Sequence, residues 1–202
     1  MHIVYIHGAN ASPASFNFIR QYFGEHEATF IRYDTETDLA DVVLNITEML
    51  PKSEHVSIVG HSLGGVIGVA VSQLLSHSGI VDRIVTAGSP FSGSDVARRL
   101  RILYPFSSFI KNVSSSHPVF KRVVNIGAVV PTMSIVSTAG HNPLVDDLND
   151  GVVTIASQLA LPRAINVRVE LNHYETMLSP VVGELAAEFL IDGRVPFISD
   201  RV

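Results

Sequence analysis

Short runs rich in valine and isoleucine alternate along this chain with longer stretches of helical period, and this alternation restricts the fold more than any other feature. A strand, a helix and a second strand of the same direction form the repeating unit of a mostly parallel sheet covered on both faces. Strands are expected at about Ile3–Ile6, Ala28–Tyr33, Val56–Val59, Ile84–Ala87, Met133–Ser137 and Ile165–Leu171. Ser12-Pro13 opens a helix through Phe23, with Ser12 as its cap and Pro13 at the first helical position. The next helix, Asp38–Leu50, carries Leu39, Val42, Val43, Ile46 and Leu50 on one face and stops before Pro51. Gly60 begins a sharp turn into a helix running to about Ser76, and an amphipathic helix over Val181–Ile191 closes the pattern. The tail Asp192–Val202, with Gly193 and Pro196, reads as a surface arm.

The 202 residues suit one domain over 1–202, and 47% apolar against 16% charged residues describes a compact protein. A net charge of -5 argues against a nucleic-acid partner. The absence of cysteine excludes a disulfide scaffold, a thiol nucleophile and a cysteine-ligated metal. No apolar run reaches the roughly 20 residues that span a bilayer, and the N-terminus lacks the pattern of a signal peptide. A soluble, cytoplasmic chain is therefore expected, with no cofactor and no metal.

One region breaks the rhythm. Between Ser89 and Pro131 lie about forty residues with Pro105, a Ser114-Ser115-Ser116 run and Pro118, but no clear strand. So long an excursion in a compact domain is usually functional, and a cap or lid over a binding site, at about 91–131, is the expectation. Its helical pieces are placed at Asp95–Leu103 and Pro118–Val124. Asp95–Arg122 carries Arg98, Arg99, Arg101, Lys111, Lys121 and Arg122 against Asp95 alone, a net +5, so the rest of the chain carries −10. Leu103, Phe106, Phe109 and Ile110 lie among these charges as candidate substrate-binding residues. They would line an acyl pocket; the competing reading is a transient contact of a basic, aromatic segment with a membrane surface.

Gly60-His61-Ser62-Leu63-Gly64-Gly65 carries the chemistry, because it matches G-x-S-x-G between a Val/Ile strand and a glycine-rich helix. Such a turn must hold a serine hydroxyl up in a cleft while strand and helix pass closely, so its neighbours must be small. The helix N-terminus beneath it favours developing negative charge. Ser62 is the candidate nucleophile. Counterparts stand elsewhere in the chain: Ile6-His7-Gly8-Ala9, Gly88-Ser89-Pro90-Phe91-Ser92-Gly93-Ser94, Asn149-Asp150-Gly151-Val152-Val153 and Asn172-His173. With these segments the chain, from Ile3 to about Ile191, resembles the lipase and esterase branch of the α/β-hydrolases, in particular the small bacterial lipases. The resemblance implies a minimal α/β-hydrolase fold without that family's first two strands. It also implies cleavage of a small-molecule acyl ester through an acyl-serine.

His173 can be argued from position as well. It is the only histidine after the sixth expected strand and stands just past its end, where catalytic groups gather in open α/β sheets. It would take the proton from Ser62 and return it to the leaving group. His7, His61 and His141 are read as support around the same mouth. The acid comes from Asp146, Asp147 or Asp150, of which Asp150, 23 residues before His173, matches the family's acid and is preferred. The oxyanion hole would use the backbone N–H of Leu63, after the nucleophile. Its second N–H, implied by the family pattern, is that of Ala9, with Asn10 as the alternative. Thioesterase, amidase or acyltransferase activity would use the same three residues. A ligand-binding module of this fold would need none of them.

Overall fold

The computed structural model describes residues 1–52, 54–93, 107–142 and 147–195. Six strands, β1 (His2–Ile6), β2 (Glu27–Ile31), β3 (Val56–His61), β4 (Val81–Ala87), β5 (Thr132–Ser137) and β6 (Ile165–Val169), form one sheet in the order β2-β1-β3-β4-β5-β6. All neighbouring pairs are parallel. From β1 the chain moves outward to β2 and then returns to the other side of β1 for β3. The direction of winding therefore reverses between β1 and β3, and the crevice at their C-terminal ends is where this architecture binds ligands.

Side chains alternate across the sheet, and both faces are covered. Val4, Ile6, Val56, Ile58 and Ile84 pack against α1 (Leu39–Met49), α2 (Leu63–Leu74) and α4 (Pro118–Ile126). Ile3, Tyr5, Val59, Val85, Met133 and Ile135 pack on the opposite face against Phe16, Ile19 and Phe23 and against Val182, Ala186 and Phe189. The last group belongs to α5 (Pro180–Ala187) and the π-type turn Glu188–Asp192 that continues it.

Three expectations about local structure are modified. Ser12–Phe23 is not one helix but two 3₁₀ turns, Pro13–Phe16 and Ile19–Phe23, and Ser12 makes no side-chain cap bond. The tighter turns bury Phe16, Ile19 and Phe23 together, and two of the rings meet Tyr5 at 5.2 and 6.1 Å. Tertiary packing of the aromatics outweighs the helical period here. α3 (Ser108–Val113) was not foreseen, while Asp95–Leu103 lies outside the described residues. α4, expected as part of the excursion, buries Val119, Phe120 and Val123 in the same core as α2 and belongs to the helical layer of the sheet. Among the described residues no helix is long and apolar enough to cross a membrane.

Candidate active site

β3 ends at His61, α2 begins at Leu63, and Ser62 alone makes the turn at φ 53° and ψ -125°. A non-glycine residue in that region costs on the order of 1–3 kcal/mol, which the surroundings must hold in place. They do so directly. The Ser62 N–H donates to the Ala87 carbonyl at 2.8 Å, fixing the turn to the end of β4. A Cβ at Gly64 would overlap the Ile6 carbonyl oxygen, and one at Gly60 would overlap Gly65 Cα, so the helix can pass over β1 and β3 only with glycine at both positions. The Ser62 side chain remains partly exposed.

At the same end of the sheet lies a buried acid–base pair. His173 Nδ1 lies 2.8 Å from Asp150 Oδ2, with residue exposures of 3% and 1%. Asp150 Oδ2 also accepts the Ser137 hydroxyl at 2.5 Å and the Gln158 amide at 3.3 Å. Oδ1 accepts the backbone N–H groups of Val152 and Val153 at 3.0 and 2.7 Å. Burial alone would raise the pKa of Asp150; hydrogen bonds from His173, Ser137 and Val153 outweigh it and hold the carboxyl below its ordinary value. A carboxylate that stays charged at Nδ1 requires the proton there and leaves Nε2 to act as a base.

The backbone of His173 is fixed as well. Its N–H donates to the Asp150 carbonyl at 3.0 Å, and its own carbonyl accepts His61 Nε2–H at 3.0 Å and the Thr176 hydroxyl at 2.7 Å. Gly88, at φ +59° one residue past β4, sits under the ring: a Cβ there would lie 3.0 Å from His173 Nδ1. Ser62 bonds to Ala87 and His173 rests on Gly88, so the two side chains share the C-terminal end of one strand.

On the β1 side, a Cβ at Gly8 would lie 3.0 Å from Ser62 Cβ, so the 8–11 turn stands against the elbow. His7 Nδ1–H donates to the Gly8 carbonyl at 2.8 Å, and Ala11 N–H donates to the same oxygen at 3.3 Å. In a trans peptide the next N–H, that of Ala9, points the opposite way. Leu63 opens α2, and its N–H is among the first-turn donors with no acceptor inside the helix. Asn10 is exposed at φ 54°. His61 is buried between the two sides; burial, and next the charge of His173, lower its pKa to about 4.

Of the other expected residues, Asp147 and His141 are exposed, and Asp146, Leu103 and Phe106 lie outside the described residues. Phe109 and Ile110 are half-buried on α3. The group able to offer three metal-ligand atoms among the described residues is His2, Glu27 and Glu54, at the N-terminal ends of β1 and β2 and just before β3, the far end of the sheet from Ser62. Sequence reasoning missed Ser137, Gln158 and Thr176. Ser137 carried a signal, since it closes β5 at the functional end of the sheet; Gln158 and Thr176 carried none.

Fold and site together define an α/β-hydrolase. Residues 10–143, more than half of the chain, match the PGAP1-like alpha/beta domain, and the chain belongs to that family. The matched stretch contains Ser62 and ends before Asp150 and His173. No curated protein matches the sequence. Among solved structures, the chain resembles the α/β-hydrolase enzyme MGS-MChE2 from a sediment metagenome of the Mar Chica lagoon, Morocco, at 17% identity and a TM-score of 0.70, covering 96% of this chain and 91% of the other. The mature lipase BlEst2 of Bacillus licheniformis is similar at 18% identity and a TM-score of 0.61, covering 93% and 89%. The metagenomic carboxyl esterase MGS0156 is similar at 16% and 0.65, covering 86% of this chain and 64% of that one.

Proposed function

We propose that the protein is a serine hydrolase that cleaves carboxylic esters of small acyl substrates, a carboxylesterase or lipase. The observation that carries this reading is the buried Asp150–His173 pair at the same strand end as a serine held in a strained turn. A binding module has no need to keep Ser62, His173 and Asp150 together. Ser62 attacks the acyl carbon while His173 Nε2 takes its proton. The Leu63 and Ala9 N–H groups receive the oxyanion, His173 protonates the leaving alcohol, and water activated by His173 then frees Ser62. Asp150 stays ionised throughout and stabilises the imidazolium.

An apolar acyl group suits the surroundings. Tyr174 and Leu178, which follow His173, and Leu148 and Val152, which flank Asp150, are large apolar residues left exposed. The whole chain acts as one domain in this reading, with Phe109 and Ile110 of α3 beside the acyl group and the net charge of +5 over 95–122 suited to an anionic membrane surface. A fluorophosphonate should label the native protein, and Ser62→Ala should abolish both labelling and p-nitrophenyl acetate hydrolysis, with a turnover loss of roughly 10⁴- to 10⁶-fold at unchanged melting temperature. Labelling that persists in Ser62→Ala would remove Ser62 from the chemistry. A folded parent that neither labels nor turns over would leave a binding protein.

A further inference from the structure

We propose that Asn112, on the crossover between β4 and β5, is a positioning residue for the oxyanion loop, acting through Thr35 and Asn10. The role of Ala9 in this inference rests on the esterase reading; the mechanical link does not.

Asn112 lies on α3 and is 2% exposed. Its amide donates to the carbonyls of Thr35 at 2.9 Å and Thr37 at 2.6 Å, and its oxygen accepts the Leu39 N–H at 3.2 Å. Both amide hydrogens are thus used on one loop, the 32–38 connection between β2 and α1. Losing them would leave part-buried carbonyls without these donors. Adjacent side chains reinforce the clamp: Asp38, the N-cap of α1, lies 3.3 Å from Lys111 Nζ and 3.5 Å from His117 Nε2.

The clamped loop in turn holds the 7–11 segment at two points. The Tyr33 hydroxyl donates to the His7 carbonyl at 2.8 Å, and the two rings stack at 4.5 Å and 8°. The Thr35 hydroxyl donates to Asn10 Oδ1 at 3.0 Å, on the residue that adopts a left-handed φ. Asparagine tolerates that conformation but does not enforce it, so a tie on its side chain helps to select it. The Ala9 N–H belongs to the Gly8–Ala9 peptide, one residue further back, whose carbonyl His7 and the Ala11 N–H hold. Its direction is therefore set from three sides: His7 on the Gly8 carbonyl, Thr35 on Asn10, and Asn112 behind Thr35. A segment far from Asn10 in the chain thus reaches it through side-chain bonds.

The test is a cycle of Asn112→Ala and Thr35→Val on p-nitrophenyl acetate, with amide hydrogen exchange at Ala9–Ala11 read alongside. Losing an oxyanion donor outright costs 10²–10³-fold, so a misdirected one should cost roughly tenfold in kcat with KM held within about twofold. Asn112→Ala should show that loss and speed exchange in the loop. In the Thr35→Val background its further effect on kcat should fall below about twofold, because the route is already cut. Equal losses in both backgrounds, or a lowered melting temperature with kcat unchanged, would overturn the proposal. If Asn112→Ala does not fold, Thr35→Val alone must lose kcat and speed exchange, since it spares the α1 cap; an unchanged variant overturns the link. Failure of the esterase reading is seen separately, as a parent that neither labels nor turns over while exchange at Ala9–Ala11 still responds.

Discussion

The two sides of Ser62 are built differently. On the β5–β6 side, the Asp150–His173 pair is almost wholly buried and held by buried side chains, Ser137 and Gln158 on the carboxylate and His61 and Thr176 on the His173 carbonyl. On the β1 side, the 8–11 turn carries an exposed Asn10 and a half-buried Ala9, and its ties are to its own neighbour His7 and to the 32–38 loop. A charge must be held out of water by partners that outweigh its lost hydration, whereas a backbone donor needs only a direction. The difference predicts that substitutions on the first side change electrostatics and pH dependence. Those on the second change turnover with little effect on either.

Asp150→Asn tests the charged side with the largest effect. Turnover should fall roughly 10⁴-fold, because a neutral amide cannot hold the required tautomer or stabilise the imidazolium. Exposed Asp147→Asn should remain within a few-fold of the parent. Turnover assays on both variants check this; a sensitive Asp147 and a tolerant Asp150 would break the assignment of the acid.

His61 is common to both sides, since its Nε2–H holds His173 and its Nδ1 lies at Gly8. Its pKa is lowered to about 4, while in the unfolded chain it titrates near 6.5. The neutral form is what the fold prefers, so its contribution is complete above about pH 6.5 and is lost as pH falls toward 4, a swing on the order of 3 kcal/mol. Denaturation of the parent at stepped pH should show that decline, and His61→Gln should reduce it. Buried His7, with its pKa also lowered by burial, leaves a residual slope. Identical slopes in parent and His61→Gln would place the sensitivity elsewhere.

Ser137 and Gln158 refine the same side. A hydrogen bond to a charged group is worth about 1.5–3 kcal/mol, so Ser137→Ala should lower kcat roughly 10- to 100-fold, and Gln158→Leu, with the longer bond, should sit at the lower end. A pH profile of kcat/KM separates this from simple destabilisation. A melting-temperature drop with unchanged kcat would make both residues plain structure.

These supporting residues also mark what the sequence could and could not convey. The parallel sheet was legible because Val/Ile runs such as Val56–Val59 and Ile84–Ala87 recur at βαβ spacing. The turn at Ser62 was legible because Gly60 and Gly64 are forced by backbone approach rather than by preference. The order Ser62, Asp150, His173 then follows chain topology. Gln158, Thr176 and Asn112 were not legible, since a single polar residue on a helix or turn has no periodicity, and their partners lie 8 to 77 residues away or in the backbone. Two 3₁₀ turns in place of one helix at 13–23 were hidden for a related reason: the contacts of Phe16 and Phe23 with Tyr5 are tertiary.

The smallest expected effect concerns α3, where Asn112 clamps the 32–38 loop and Phe109 stands three residues earlier, half-buried. If this helix serves the β1 side alone, trimming Phe109 should leave the ester profile flat. If it also borders the acyl group, Phe109→Ala removes apolar contact felt only by longer chains. Each buried methylene is worth about 0.8 kcal/mol, or roughly fourfold, so the expected result is a several-fold loss on p-nitrophenyl butyrate and longer esters with acetate nearly unchanged. A uniform loss across the panel would instead match a displaced Asn112 and assign α3 wholly to positioning. An unchanged panel combined with weaker, salt-sensitive binding to anionic vesicles would move Phe109 from the acyl site to a membrane contact.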